Sequence, residues 1–301
     1  MHATILPREV WQARAATHAD RIDALTAGHR ARRGTGERHP VQDFLFEYYN
    51  HPPSKLRRWH PGPGIALEGV TGDPRERWSG YTVDRDVQRL DLDRFVERRG
   101  RTLDFVSRLL RATLARPAHL GCFGLHEWAM VYRLAPGEQR HEQLPLRLSQ
   151  ADTDEVVRSH RIACSHFDAY RFFTEPAAPL NALRPTRESQ AEHEQPGCLH
   201  AGMDAYKWCF KLAPAIPSEL TADAFELALR IRELDMQASP YDVREFGLDA
   251  IPIETPGGKA EYLRRQRAFA EESNAVRRRL LETITTITGA GSASPGSRQR
   301  A

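Results

Sequence analysis

The sequence predicts a mainly α-helical protein, a single compact helical domain over residues 1–288 with an irregular Pro/Gly-rich arm at 50–80 and little β-structure. Three observations predict it. Long stretches repeat apolar residues at three- and four-residue steps, the spacing that lines one face of a helix. No self-similar period and no break in composition divides the chain. Pro and Gly crowd into one segment (Pro52, Pro53, Pro61, Gly62, Pro63, Gly64, Gly69, Gly72, Pro74), where long regular elements are not expected. With 301 residues, 40% of them hydrophobic and 28% charged, the chain has the length and the apolar content for a real core.

In chain order, Pro7–Arg33 reads as an amphipathic helix through Trp11, Ala15, His18, Ile22, Leu25 and His29, and Gly34 to Gly36 ends it. His39–Tyr49 then gathers Phe44, Leu45, Phe46, Tyr48 and Tyr49, taken as core. Past the arm, Tyr81–Val83 is a candidate short strand. Asp91–Arg116 is a clear helix with Leu92, Phe95, Val96, Leu103, Val106, Leu109, Leu110 and Leu114 on its apolar side, closed by Pro117. Helices are predicted over Leu125–Leu134, Thr153–Phe173 and Leu199–Leu212. A further one over Glu219–Met236 follows Ser218, a natural N-cap. The last helix, Gly258–Ile287, aligns Tyr262, Phe269, Val276 and Leu280 on one side, and residues 289–301, rich in Gly, Ser, Ala, Pro and Arg, are expected to be a disordered tail.

No stretch approaches the roughly 20 apolar residues of a membrane span, and the start lacks the apolar run and small-residue cleavage site of a leader. A cytoplasmic address without a membrane partner is expected. Cys122, Cys164, Cys198 and Cys209 form no C-x-x-C pair and are expected to be reduced thiols. Net charge is +3, but residues 1–120 carry 21 Lys/Arg against 15 Asp/Glu and the remainder is net negative. The basic cluster Lys55, Arg57 and Arg58, beside Trp59 and His60, is a candidate phosphate contact, although a solvated helix face explains most such clusters more simply.

The chemistry-bearing residues concentrate between Leu120 and Tyr241. On a helix over Thr153–Phe173, His160, Cys164, Asp168 and Arg171 would form one polar stripe. On Leu199–Leu212, His200, Asp204 and Lys207 repeat the device among Tyr206, Trp208 and Phe210; Lys207 there is expected either to act as nucleophile or base or to pair with a carboxylate. Asp235 continues the apolar line of Leu220, Ala224, Leu227, Ala228 and Ile231, so it either buttresses the following turn or faces a pocket. His126 and Glu127 precede Trp128, but Met130 stands where an H-E-x-x-H zinc motif needs its second His. Taken together, His126, Glu127, His160, Cys164, His166, Asp168, His200, Asp204 and Asp235 suggest a shared polar centre built from four helical segments. G-x-x-x-x-G-K-[ST], G-x-G-x-x-G after a strand and G-x-S-x-G are all missing, which speaks against nucleotide hydrolysis, Rossmann cofactors and the α/β-hydrolase elbow.

The strings HPVQDFLFEYYNHPPSKLRRWHPGPG (39–64), LGCFGLHEWAMVYR (120–133), SHRIACSHFDAYRFF (159–173), EQPGCLHAGMDAYKW (194–208) and RELDMQASPYD (232–242) resemble the actinobacterial proteins known as 3-methyladenine DNA glycosylases, over nearly the whole chain. The resemblance implies a hydrolase of DNA repair that cleaves the N-glycosidic bond of an alkylated base turned out of damaged DNA, with no cofactor. By chemistry, Trp128, Tyr170 and Trp208 would stack on the base with Arg171 beside them. Asp168, Asp204 or Asp235 would activate water or stabilise the sugar cation, with Glu127 and Lys207 as further catalytic candidates, and Lys55, Arg57 and Arg58 would hold phosphates. The alternative is a metal-dependent enzyme acting on a small molecule, with a divalent ion on His126, His160, His166 and His200 and one or more of the carboxylates. A third reading is a non-catalytic helical binding protein in which the polar centre only fixes packing.

Overall fold

The computed structural model describes residues 3–134 and 144–291. The described chain is mainly helical. In order it forms β1 (Thr4–Leu6), α1 (Arg8–Leu25), α2 (Ala27–Arg32), α3 (Phe44–Tyr49), α4 (Pro53–Leu56), β2 (Ile65–Glu68), β3 (Tyr81–Asp84), β4 (Val87–Leu90) and the long α5 (Leu92–Ala115). Then come α6 (Leu125–Ala129), α7 (Gln150–Ser159), α8 (Phe167–Tyr170), α9 (Gln190–His193), α10 (Leu199–Lys211), α11 (Ser218–Gln237) and α12 (Pro256–Gly291). None of these helices is long and apolar enough to cross a membrane. The connecting segment with Pro136 and Gly137 and residues 292–301 of the predicted tail lie outside the described residues; Gly289 itself is still in α12.

The apolar periodicity places the long helices well. In α5, Phe95, Leu103, Val106, Leu109 and Leu110 are buried, and in α12 so are Tyr262, Phe269, Val276 and Leu280. The apolar line of α11 is buried together with its carboxylate Asp235. Helices α10, α11 and α12 pack on one another, and α12 also packs along α5. Close approach depends on Gly202 of α10, where a Cβ would lie 2.7 Å from Ser273 Oγ of α12 and 2.9 Å from Ile231 Cδ1 of α11.

Five sequence expectations need correction. The arm is not irregular throughout: β2 lies inside it and pairs in parallel with β1 and antiparallel with β4, giving a sheet of order β1-β2-β4-β3. Strand β3 begins at Tyr81 as expected, but the β1 to β2 pairing joins segments about sixty residues apart, which local periodicity does not register. Pro7–Arg33 is not one helix; it divides at Thr26, whose Oγ1 donates to the Ile22 carbonyl at 2.7 Å. Ser218 does not cap α11 through its side chain. Its hydroxyl instead accepts from the His60 amide (2.8 Å) and donates to the Arg58 carbonyl (3.0 Å), fastening the arm to α11.

The fourth correction concerns Thr153–Phe173. Helix α7 stops at Ser159, and only Phe167–Tyr170 is helical again. Tertiary partners satisfy the intervening backbone, so helix is not needed there. The Asn181 side chain accepts from the Cys164 amide at 2.7 Å and donates to its carbonyl at 3.0 Å, and the Ala182 amide donates to the Ile162 carbonyl at 2.9 Å. The stripe of His160, Cys164, Asp168 and Arg171 therefore does not exist. Likewise the helix predicted over Leu125–Leu134 ends at Ala129, whose carbonyl accepts from the Thr174 amide at 3.2 Å.

Replacing Gly202 by Val is expected to lower the unfolding free energy by about 2 kcal/mol through overpacking. Gly100→Ala, where a Cβ meets open space within α5, should raise it by about 0.5–1 kcal/mol. Urea unfolding of the two variants checks both signs.

Candidate functional site

Helix α10 begins where Gln195 bends the chain, its side-chain oxygen accepting from the Gly197 amide at 2.7 Å, and its first three turns are buried almost all round. That burial brings His200, Asp204 and Lys207 into the interior, where ions need counterions. Asp204 is surrounded by donors: Tyr49 Oη of α3 at 2.8 Å from Oδ1, His166 Nε2 at 3.1 Å from Oδ2, and the Lys207 ammonium on the same oxygen. Burial pushes the Asp204 carboxyl up, but Lys207 and His166 prevail and hold it well below the usual carboxylate range.

A second buried array lies next to it. Arg232 of α11, 1% exposed, donates from one nitrogen to Asp235 Oδ2 at 2.6 Å and to Glu127 Oε1 at 2.8 Å, and its guanidinium sits 3.9 Å from the Phe44 ring centre. The other Asp235 oxygen lies 3.0 Å from His126 Nε2. Three imidazoles join the arrays: His200 is 4.4 Å from His126 and 5.3 Å from His166, ring centre to ring centre. Burial lowers the basicity of both His126 and His200, yet the charge of Asp235 reverses the direction for His126, while His126 pushes His200 further down.

A pocket adjoins the Asp204 array, sharing Tyr49 and Lys207 with it. Glu47, Tyr48, Tyr49, Asp168, Arg171, Lys207, Phe210 and Lys211 line a cavity of about 350 Å³. Asp168 reaches solvent there; Arg171 Nε holds its Oδ1 at 3.2 Å and Lys207 Nζ lies 3.8 Å from Oδ2. Lys207 thus stands between a buried carboxylate and an accessible one. Phe210 and Lys211 also line a larger groove of about 630 Å³, with Lys55, Arg58, Arg99, His51, Trp78 and Trp208 on its walls. Cations interleaved with aromatic rings suit a ligand carrying phosphate and a flat base.

The structure thus gathers His126, Glu127, His166, His200, Asp204, Lys207 and Asp235 inside and Asp168, Arg171 and Trp208 at the mouth. It sets others apart. His160 caps α7, its Nδ1 2.6 Å from the Val156 carbonyl, and joins neither array. Trp128 is fully buried, donating to the Ala238 carbonyl at 2.9 Å under the Arg147 guanidinium, so it offers no free face for stacking. Tyr170 packs on Phe173 at 5.2 Å and lines neither the pocket nor the groove. Of the basic cluster, Lys55 and Arg58 face the groove, while Arg57 turns away to Asp23 at 3.1 Å.

Sequence reasoning missed Arg232, Trp78 and Lys211. Arg232 could have been found, since it precedes Asp235 by three residues on a buried line and an interior carboxylate calls for a cation. Lys211 follows Lys207 by one turn on α10 and could have been found with it, whereas Trp78 comes from a distant segment and carried no local signal.

Among the described residues, two groups of buried side chains could hold a metal ion: His126, His200 and Asp235, and His166, Glu194 and Asp204. They are not equivalent. Lys207 already occupies Asp204, and the Glu194 oxygens lie within reach of Thr113 Oγ1 (3.4 Å) and Gln190 Nε2 (2.8 Å). Compared with protein-family models, with curated proteins and with solved structures, the chain matches none.

Arg232→Ala would leave Glu127 and Asp235 buried without their cation and is expected to cost about 3–5 kcal/mol of stability, measured by denaturant unfolding. Acid should weaken the fold as well. Burial, aided by Lys55, depresses the His51 imidazole to about 4, and burial with Arg75 and Arg58 depresses His60 to about 3. Between the ordinary histidine value of about 6.5 and these values the unfolded chain takes up protons that the folded chain refuses, so stability is complete above that window and falls as pH drops through it. His51→Phe, which keeps the ring stacked on Phe210 at 4.4 Å, should flatten the decline in melting temperature between pH 7 and 5.

Proposed function

We propose that the chain is an enzyme that binds a nucleic acid in the basic, aromatic groove and acts on it from the adjoining pocket of Asp168 and Lys207. One observation carries the reading: a solvent-reaching carboxylate, oriented by Arg171 and Lys207, lines a pocket that shares Phe210 and Lys211 with a groove walled by Lys55, Arg58 and Arg99. Cation-lined grooves collect phosphates, and an oriented carboxylate beside one is placed to serve as a base.

The reaction that suits these residues, and that the family resemblance implies, is hydrolysis of the N-glycosidic bond of an alkylated base. Alkylation gives the base a positive charge, so it leaves readily with the bonding electron pair and becomes neutral. Asp168 takes the proton of the attacking water as oxygen bonds to the sugar carbon, and its charge stabilises the cationic sugar on the way. Lys207 and Arg171 keep Asp168 aimed. Phe210, at the junction of pocket and groove, and Trp208, in the groove wall, offer aromatic surface to an extruded base. Lys55, Arg58 and Arg99 hold the flanking phosphates.

Incubation with a duplex containing alkylated adenine should release the free base. Asp168→Asn should slow release by about 10²–10⁴-fold without loss of melting temperature. Lys55→Ala and Arg58→Ala should each weaken duplex binding and reduce the slope of log K against log salt by about one. Full activity in Asp168→Asn, or binding indifferent to salt, would remove the proposal.

A further inference from the structure

Three buried ligand atoms converge from three helices: those of His126 in α6, His200 in the first turn of α10 and Asp235 near the end of α11 lie within 4.8 Å of one another. His126 Nε2 and Asp235 Oδ1, only 3.0 Å apart, meet at an angle that is no hydrogen bond, and neither has another hydrogen-bond partner among the described residues. Buried polar atoms left in this way are unusual and point to something that completes them. Asp235 is held in place from behind, because its second oxygen accepts from Arg232, which Glu127 neutralises in turn. Such a supporting shell is what orients a ligating carboxylate.

We propose that His126, His200 and Asp235 bind a divalent transition-metal ion at a closed site that ties α6, α10 and α11 together. The chemistry of the donors selects the ion: two imidazoles and one carboxylate suit zinc or cobalt, whereas magnesium and calcium take all-oxygen shells. The space selects the role. A cavity of only about 10 Å³ adjoins the two imidazoles, bordered also by the thiols of Cys122, Cys164 and Cys198. It has room for one small ligand such as a water and none for a substrate, which is the mark of a structural rather than a catalytic site. The site is independent of the pocket carboxylate Asp168, which already has Lys207 and Arg171 as counterions.

Elemental analysis of the full chain, expressed in medium with zinc and dialysed, should find roughly one bound equivalent. His200→Ala and Asp235→Asn should lose most of it, while His160→Ala and Asp168→Asn keep it. Because the first two variants may fail to fold, wild-type protein stripped with a chelator gives a second measurement: its melting temperature should fall, and added Co²⁺ should restore it with the intense visible absorption of a tetrahedral ion. Metal-free wild type that takes up neither zinc nor cobalt on titration would overturn the site, as would full retention of metal in folded His200→Ala. Loss of base-release activity in Asp168→Asn with metal retained would separate this site from the proposed reaction, so either can fail without the other.

Discussion

Charge buried in a helical interior is tolerated only where each ion meets its counterion at short range, and this requirement organises the centre of the molecule. Arg232 and Lys207 are the interior cations around which the carboxylates Glu127, Asp235 and Asp204 collect. Of these pairs, Arg232–Glu127 crosses from α11 to α6 and so fixes how those two helices sit against one another, whereas Arg232–Asp235 and Lys207–Asp204 lie within α11 and α10. An apolar interface tolerates sliding by part of a turn; an ion pair at 2.8 Å does not. The three histidines fill the space between the two sets: His126 lies 3.0 Å from Asp235, His166 lies 3.1 Å from Asp204, and His200 packs against both rings.

The same constraint explains why the pocket lies where it does. Lys207 is bound on its inner side by Asp204, yet its head lies 3.8 Å from Asp168 at the surface. Asp168 is thereby connected to the interior without being buried in it. The accessible carboxylate keeps solvent on one side and a fixed cation on the other. A group with solvent and a fixed field at once can exchange protons while holding its orientation.

How much of this was legible in the sequence depends on the range over which each feature is encoded. Helices α5, α10, α11 and α12 were readable because their stripes of buried residues repeat within a few turns, and His200, Asp204, Lys207 and Asp235 were found with them. The segment from His160 to His166 was misread because its backbone partners come from Asn181 and Ala182, and a periodic pattern carries no mark of a distant strand-like neighbour. The sheet failed for the same reason, with β1 and β2 each too short to alternate convincingly. Trp128 shows a different limit: an indole beside a His-Glu pair looks equally suited to stacking on a ligand and to filling a core, and only its bond to the Ala238 carbonyl decides between them.

The segment between α4 and β3 is fastened at both faces. Arg75 is buried among Trp11, Trp59 and Trp78, with ring centres at 5.0, 5.4 and 4.6 Å, and donates to the Trp59 carbonyl at 2.6 Å. Trp59 in turn donates to Glu219 of α11 at 2.7 Å. Trp78 is at once part of this cage and part of the groove wall. A stretch so rich in Pro and Gly has the composition of a flap, yet pinned this way it behaves as masonry. Under the proposed function, a strand would meet a channel whose width was set during folding, so that its docking would carry no cost of closing a gate and discrimination among ligands would be by fit to a ready-made shape.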